Sequence, residues 1–137
     1  MSKFKYYLLS LTWGILMSIV GYLVAAILML FGCKPKKWGH GYYFVVGNYW
    51  GGVNLGPIFL CSRASNTDFV REHEYGHGIQ NCYYGPFYII LVAIPSMIRC
   101  KYRDIRFRMG KDNPTDYYAI WFEKQASDLG LKYSGQE

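Results

Sequence analysis

The sequence is poor in histidine and cysteine, which limits the metal sites that it can form. Three histidines occur among 137 residues. The four cysteines (Cys33, Cys61, Cys82 and Cys100) are widely spread and lack the C-x-x-C spacing of a zinc knuckle. This spacing excludes a zinc-knuckle site, and reduced structural thiols are typical of a cytoplasmic environment.

The sequence also lacks the signature of any nucleic-acid-binding module, although it is basic. Its formal net charge is +6, and a basic balance indicates either nucleic acid or anionic lipid as a partner. Aromatic residues make up 19% of the chain, as is typical of proteins at a membrane interface. We therefore predict that the lipid bilayer is the partner and that nucleic acid is not.

Charged residues are absent from Tyr6 to Gly32. As a helix with a rise of about 1.5 Å per residue, this run would extend about 40 Å, more than the hydrocarbon core of about 30 Å. We predict one tilted transmembrane helix, so that residues 1–33 form a membrane anchor and residues 34–137 one small domain. The alternative is a cleavable signal peptide, whose apolar region is usually shorter.

The charges around this run favour a single-pass protein with a cytoplasmic domain, because more lysines and arginines follow the run than precede it. Ser10, Gly14 and Ser18 recur every four residues and so share one helix face. Small residues at this spacing allow two helices to approach closely in lipid, which would give a homo-oligomer through the transmembrane helix. The alternative is ordinary transmembrane composition.

After the anchor, the sequence predicts an α+β domain that begins with a short β-hairpin. Residues 42–48 and 57–62 are rich in aromatic and β-branched residues and are predicted strands, with a glycine-rich loop at 50–56 between them. An edge strand of this hairpin could bind an extended peptide or be purely structural. A helix is predicted near 67–82, with its cap at Ser65, Asn66 or Thr67.

An apolar segment at 87–98 follows the Gly85-Pro86 pair that ends the helix. It is too short to cross a bilayer, so we predict that it either dips into the membrane face or lies in the core. A basic connection from residue 101 leads to a C-terminal helix at 113–130, with Gly130 as its predicted end.

The predicted helix near 67–82 contains the sequence H-E-x-x-H at residues 73–77. Residues four apart lie on one face of a helix, so His73 and His77 can bind one Zn²⁺. Glu74 is turned by about 100° and is placed to take a proton from a water that the metal polarises. The alternative is that two histidines lie four apart by chance. Gly76 and Gly78 each cost about 1 kcal/mol relative to alanine in a helix, which indicates close packing of another backbone.

A catalytic zinc site needs a third protein ligand. The candidates are His40, Asp104, Asp112, Asp116, Glu123 and Asp128. We select Glu123 because it is flanked by Trp121 and Phe122, where a carboxylate is expected to face a compensating group. The alternative is a solvated pair of Glu123 with Lys124.

These features resemble the gluzincin group of zinc metallopeptidases, whose third ligand is a glutamate on a later helix. The chain is also similar to small bacterial membrane proteins that combine an HEYGH-x-x-Q helix, a G-P-x-Y apolar segment ending in P-S, and a Tyr-rich E-K-x-A-D helix. The similarity covers about residues 42–130. The matching residues are His73, Glu74, His77, Gln80, Gly85, Pro86, Tyr88, Pro95, Ser96, Tyr117, Tyr118, Glu123 and Ala126.

The resemblance implies a zincin-like active-site helix and hydrolysis of a peptide or protein substrate with Glu74 as the base. Tyr117 or Tyr118 could then stabilise the oxyanion, and Gln80 would support a histidine ligand. The alternative is a non-catalytic membrane protein that uses the fold as a binding scaffold, although a scaffold does not need Glu74.

One position departs from the pattern of these proteins. Ser127 occupies the place of an aspartate, and Asp128 follows one residue late. If that aspartate orients a histidine ligand, the supporting contact is altered in this chain or comes from another residue.

Overall fold

The fold was analysed in a computed structural model, which describes residues 2–110 and 120–134. The predicted α+β class is confirmed. In chain order, the elements are α1 (Lys3–Leu11), α2 (Ile15–Leu30), β1 (Lys36–Trp38), β2 (Gly41–Val45), β3 (Gly52–Leu55), β4 (Ile58–Cys61), α3 (Asp68–Tyr84), α4 (Ile94–Arg108) and α5 (Trp121–Ser134). A 3₁₀ turn at Gly85–Phe87 and a π-helical turn at Ile89–Ala93 join α3 to α4.

The apolar N-terminal run forms two helices, and the prediction of one continuous helix is wrong. The axes of α1 and α2 differ by 97°. At the break, the carbonyl of Gly14 accepts hydrogen bonds from the side chains of Ser18 and Asn81. Among the described residues, no helix alone is long and apolar enough to cross a bilayer, whereas α1 and α2 together pass that test of length and composition.

The face with small residues packs against α3 of the same chain. Ser10 and Ser18 are fully buried, and the Ser10 hydroxyl lies 3.2 Å from the Cys82 thiol. A Cβ atom on Gly14 would lie only 2.6 Å from the side chain of Asn81. The face that we predicted to contact a lipid-embedded neighbour is therefore occupied within the chain, and α1 is part of the core.

The four strands form a mixed sheet in the order β1-β2-β4-β3. The predicted hairpin between the two aromatic strands is wrong, because β2 and β4 pair in parallel, with Tyr42 opposite Ile58. The reason is that β3, which we predicted to be a loop, runs back along the sheet and pairs antiparallel with β4. The turn between them contains Gly56, whose φ of 77° is rarely adopted by other residues.

The chain stays helical after α3, through most of the region that we predicted as a basic connection. α3 ends at Gly85, which has a φ of 57°. Pro95 lies in the first turn of α4, directly after the π-helical turn. Within the described residues, the apolar segment at 87–98 and the basic residues after it thus form nearly continuous helix up to Arg108.

α5 packs along α3 and places the C-terminal residues beside the H-E-x-x-H motif. Gly130 lies within α5, so its prediction as the helix end is wrong. A Cβ atom at Gly130 would lie 1.7 Å from the carbonyl oxygen of Glu72, so glycine is required there for close packing. The predicted start of this helix, at Asn113, lies outside the described residues.

Candidate metal centre

α3 presents the H-E-x-x-H motif to the interior. The side chain of Thr67 accepts a hydrogen bond from the Val70 N–H and caps the helix, which confirms one of the three predicted caps. His73, Glu74 and His77 are all buried. Two imidazoles and a carboxylate on a buried helix face need compensating partners, and these come from α5, β3 and α4.

Three potential ligand atoms converge between α3 and α5. Glu123 Oε2 lies 2.7 Å from His73 Nε2 and 3.4 Å from His77 Nε2. Ligands of a tetrahedral zinc at about 2.0–2.1 Å lie about 3.3 Å from one another. The 3.4 Å distance fits this value, whereas the 2.7 Å distance is that of a hydrogen bond and must lengthen by about 0.6 Å when a metal binds. His73, His77 and Glu123 thus form a buried cluster that can hold a metal ion.

Glu123 is fully buried, so the alternative of a solvated pair with Lys124 is wrong. Lys124 instead pairs with Asp128 at 3.1 Å. The second oxygen of Glu123, Oε1, accepts a hydrogen bond from the Ser96 hydroxyl on α4. This contact leaves Oε2 directed toward the two histidines.

The side chain of Gln80 orients His77. The Gln80 amide nitrogen donates to the carbonyl of Phe122 at 2.9 Å, which fixes the direction of the amide. Its oxygen therefore faces His77 Nδ1, 2.7 Å away, and Nδ1 must be the donor. When His77 is neutral, this tautomer leaves the lone pair of Nε2 free to bind a metal, whereas the protonated imidazole donates from Nε2 to Glu123.

Ser127 supplies the contact to the other histidine. Its hydroxyl lies 2.7 Å from His73 Nδ1. Asp128, the other predicted supporting residue, does not lie at the site, because its exposed carboxylate pairs with Lys124. His73 Nδ1 thus has a neutral hydroxyl as its hydrogen-bond partner.

Gly76 within the motif and Gly78 directly after it allow close packing, as the sequence indicates. A Cβ atom at Gly76 would lie 1.7 Å from the carbonyl oxygen of Ala126 on α5. A Cβ atom at Gly78 would lie 2.8 Å from the carbonyl oxygen of Gly56 in the β3–β4 turn. Gly76 therefore brings α5 and Glu123 within reach of the histidines, and Gly78 brings the sheet against the same helix.

Glu74 lies beside the cluster, against the edge strand β3. A Cβ atom at Gly52 would lie 3.1 Å from Glu74 Oε1, so the carboxylate occupies the space over this glycine. The Asn54 side chain donates to the backbone carbonyl of Glu74 at 2.8 Å and joins β3 to α3. Burial raises the pKa of Glu74, and the negative charge of Glu123 raises it further, while His77 and His73 lower it.

The ligand residues shift each other's proton affinities. Burial lowers the pKa of His77, but its hydrogen bond to Glu123 and the charges of Glu74 and Glu123 outweigh burial and raise it overall. Burial alone would raise the pKa of Glu123, but hydrogen bonds from His73 and His77 hold it well below its usual value. Two carboxylates buried beside two imidazoles are an environment that favours a cation.

The sequence interpretation missed the roles of three residues at the site. Ser96 and Tyr88 are among the residues of the resemblance, but no role was assigned to either, and Asn54 was placed in a loop. The Tyr88 hydroxyl lies 3.4 Å from Asn54 Oδ1, and burial, with the charges of Glu74 and Glu123, raises its pKa well above the usual value. In the sequence, the signal for these roles was a polar residue within an apolar segment.

The remaining candidates lie elsewhere. Tyr117, Tyr118, Asp112 and Asp116 lie outside the described residues. The backbone N–H of His40 donates to the Tyr75 hydroxyl at 3.2 Å, and the histidine is not part of the cluster. The chain matches no protein-family model, and neither curated proteins nor solved structures give a significant match.

Proposed function

We propose that the protein is a membrane-bound zinc metallopeptidase in which His73, His77 and Glu123 hold the metal and Glu74 is the general base. The observation that carries this proposal is the convergence of three buried ligand atoms within 4.8 Å of one another. Nitrogen from two histidines and oxygen from one glutamate form a ligand set that zinc enzymes use. The α1–α2 pair serves as the anchor, and the charge bias of the chain favours a cytoplasmic site.

The residues around the cluster support hydrolysis. A zinc ion held there supplies a Lewis acid that polarises the scissile carbonyl and lowers the pKa of a water molecule. Glu74 accepts a proton from the attacking water as its oxygen bonds to the carbonyl carbon. Glu74 then gives this proton to the amine nitrogen as the C–N bond breaks.

The edge strand β3 supports a peptide as the substrate. Within the described sheet, β3 pairs only with β4 and has a second edge without a strand. Gly52 of this strand lies next to the Glu74 carboxylate. A peptide that paired with this edge would run past the general base.

A non-catalytic binding scaffold is the second candidate, and the burial of the site favours it. Glu74 is 7% exposed and Glu123 is fully buried, so the described residues leave little open surface at the cluster. The two candidates differ in what they require of Glu74. A binding scaffold requires the metal or the fold, but it does not require Glu74 as a base.

The metal is tested by elemental mass spectrometry of the purified protein. We expect about one zinc per chain, because two imidazoles and one carboxylate form a three-ligand site. The His73→Ala/His77→Ala double variant should lose it, and His40→Ala, which changes the third histidine, should keep it. Zinc at the wild-type level in the double variant would exclude this site.

Catalysis is tested with Glu74→Gln, which keeps the shape of the side chain and removes the base. We expect zinc content to stay the same and hydrolysis of a peptide library to fall by about 10²-fold or more. Glu72→Gln, two residues earlier on α3, is the matched control and should retain activity. Equal activity of Glu74→Gln and the wild type would show that this mechanism is wrong, and wild-type protein that binds zinc but cleaves nothing would favour the scaffold.

A further inference from the structure

The outer face of α4 is apolar, which is the reverse of the usual arrangement in a surface helix. The exposed positions recur at spacings of three and four and so form one face. They are Ile94, Met97, Ile98, Lys101, Tyr102, Ile105 and Arg108. Ile98 is 63% exposed and Ile105 is 55% exposed. A helix on the surface of a globular protein normally points its charged residues outward.

The half-buried face of α4 is the polar one. It contains Ser96, Arg99, Arg103 and Arg106. The guanidinium of Arg106 lies over the Tyr102 ring at 5.7 Å, so this arginine borders the apolar face. The helix contains five basic residues and one acidic residue, Asp104. A helix with an exposed apolar face and a strong excess of basic residues has the composition of a helix that lies in the plane of an anionic membrane.

The segment that leads into α4 packs against α2. Met17 of α2 packs with Tyr88 and Val92 at the start of this segment. The rings of Trp13, at the break before α2, and Phe87 lie 6.1 Å apart. The outer face of α2 is also apolar, with Leu23 61% exposed.

We propose that α4 is a docking helix that lies on an anionic phospholipid bilayer, with its isoleucines in the lipid and Lys101 and Arg108 at the headgroups. Charge complementarity selects this occupant, because Lys101 and Arg108 lie on the outer face itself and Arg106 at its border. Long basic side chains among apolar neighbours can bury their stems and keep the charge at the headgroups.

This docking determines which way the candidate metal centre faces. Ser96 lies on the inner side of α4 and donates to Glu123 Oε1. α4 therefore separates the bilayer from Glu123 by the thickness of one helix. If the proposed peptidase function holds, on which this step rests, the substrate is a peptide segment held at the membrane surface.

The experiment measures the depth of α4 in reconstituted full-length protein. A nitrobenzoxadiazole probe is attached at Ile98→Cys in a Cys33→Ser/Cys100→Ser background, since Cys61 and Cys82 are buried. The matched probe is at Asp128→Cys on the exposed face of α5. Vesicles contain phosphatidylcholine alone or mixed with phosphatidylglycerol, with doxyl-labelled lipid as the quencher.

We expect quenching at position 98 to exceed quenching at position 128 by at least about two-fold, and to increase with phosphatidylglycerol. Lys101→Gln/Arg108→Gln should remove this increase. Lys124→Gln/Lys132→Gln removes the same amount of charge from α5, and this variant should retain the increase in quenching. Equal quenching at both positions, or no dependence on phosphatidylglycerol, would overturn the proposal. Excimer emission from pyrene at position 98 would also overturn it, because a second chain would then cover the face.

This readout requires neither metal nor hydrolysis, so it separates the two proposals. The His73→Ala/His77→Ala variant should show the same quenching as the wild type. Wild-type protein that shows the expected quenching but holds no zinc or cleaves no peptide would contradict only the peptidase proposal. Wild-type protein that holds zinc but shows no quenching at position 98 would contradict only the docking-helix proposal.

Discussion

At the scale of single residues, each candidate ligand has a partner that sets its orientation. Gln80 holds His77, Ser127 holds His73, and Ser96 holds Glu123. Such partners fix the tautomer of a histidine and the direction of a carboxylate before the metal arrives, which lowers the cost of binding. Two of the three partners are hydroxyls, so they add no charge to a site that already buries two carboxylates.

The contact between Ser127 and His73 gives a prediction for metal affinity. Ser127→Ala removes the hydrogen bond to Nδ1 and should weaken zinc binding by about 10-fold to 100-fold, as is usual for residues that support a ligand. Ser127→Asp restores an acceptor with a charge and should bind zinc at least as tightly as the wild type. The measurement is competition with a chromogenic chelator.

Asp128→Ala is the control for Ser127, because it changes the next residue, whose carboxylate pairs with Lys124 instead. It should leave zinc affinity unchanged. If Ser127→Ala binds zinc as tightly as the wild type, the hydroxyl does not support the ligand. If Asp128→Ala weakens binding as much as Ser127→Ala does, the supporting role belongs to the helix as a whole.

At the scale of elements, the site depends on how closely α3 and α5 approach. Gly76 on α3 faces the backbone of Ala126, and Gly130 on α5 faces the backbone of Glu72. Glu72 and Gly76 are the immediate neighbours of His73 and His77 on α3, so these two contacts set the separation of the helices at the histidines. The histidines and Glu123 belong to different helices and can share a metal only at this separation.

Gly76→Ala tests this separation. The new Cβ would lie 1.7 Å from a backbone oxygen, so the helices must move apart. Overpacking of this kind costs about 1–3 kcal/mol or more, and it also moves the histidines away from Glu123. We expect a lower melting temperature and loss of most zinc. Leu131→Ala on the exposed face of α5 should change stability by less than about 0.5 kcal/mol. A Gly76→Ala variant with unchanged zinc and melting temperature would contradict the proposed role of close packing.

The elements also show which parts of the fold can be predicted from the sequence alone. α3 could be predicted well, because its cap, its breaker and its motif are all local signals. The pairing of β2 with β4 could not, because it depends on β3, whose glycines are typical of a loop. The bend between α1 and α2 was missed for a similar reason. The partner that stabilises it, Asn81, is distant in sequence.

The candidate site shows the same difference between residues that local signals predict and residues that depend on tertiary contacts. His73, Glu74 and His77 follow from spacing within one helix, and Glu123 follows from a carboxylate in an aromatic stretch. The roles of Ser96 and Asn54 depend on tertiary contacts, since each lies on a different element from the residue that it supports. Asp128 was misplaced because one residue along a helix turns a side chain by about 100°, here from the site to the solvent.

At the scale of the whole molecule, the N-terminal helices are part of the structure that forms the site. Tyr6 is 1% exposed and stacks on Tyr75, within the H-E-x-x-H motif. On α2, Ala25 packs with Phe44 and Ile58 of the sheet. An anchor that is joined to its domain by a linker alone would not bury these residues. The boundary that the sequence predicts at residues 33 and 34 therefore crosses the core of the fold.

This packing predicts that a chain beginning at residue 34 does not retain the metal centre. Removal of α1 and α2 would expose Tyr75, Phe44 and Ile58, and large apolar side chains each lose about 1.5–3 kcal/mol when they are no longer buried. The total loss is comparable with the whole stability of a small domain. We expect the truncated chain to lack a cooperative melting transition and to bind no zinc in detergent.

The control is full-length Leu23→Gln/Ile27→Gln, which makes the exposed face of α2 polar. This variant should keep both the zinc and the melting transition, because neither side chain is buried. A truncated chain that melts cooperatively and binds zinc would show instead that residues 34–137 are an independent domain, and that α1 and α2 serve only as an anchor.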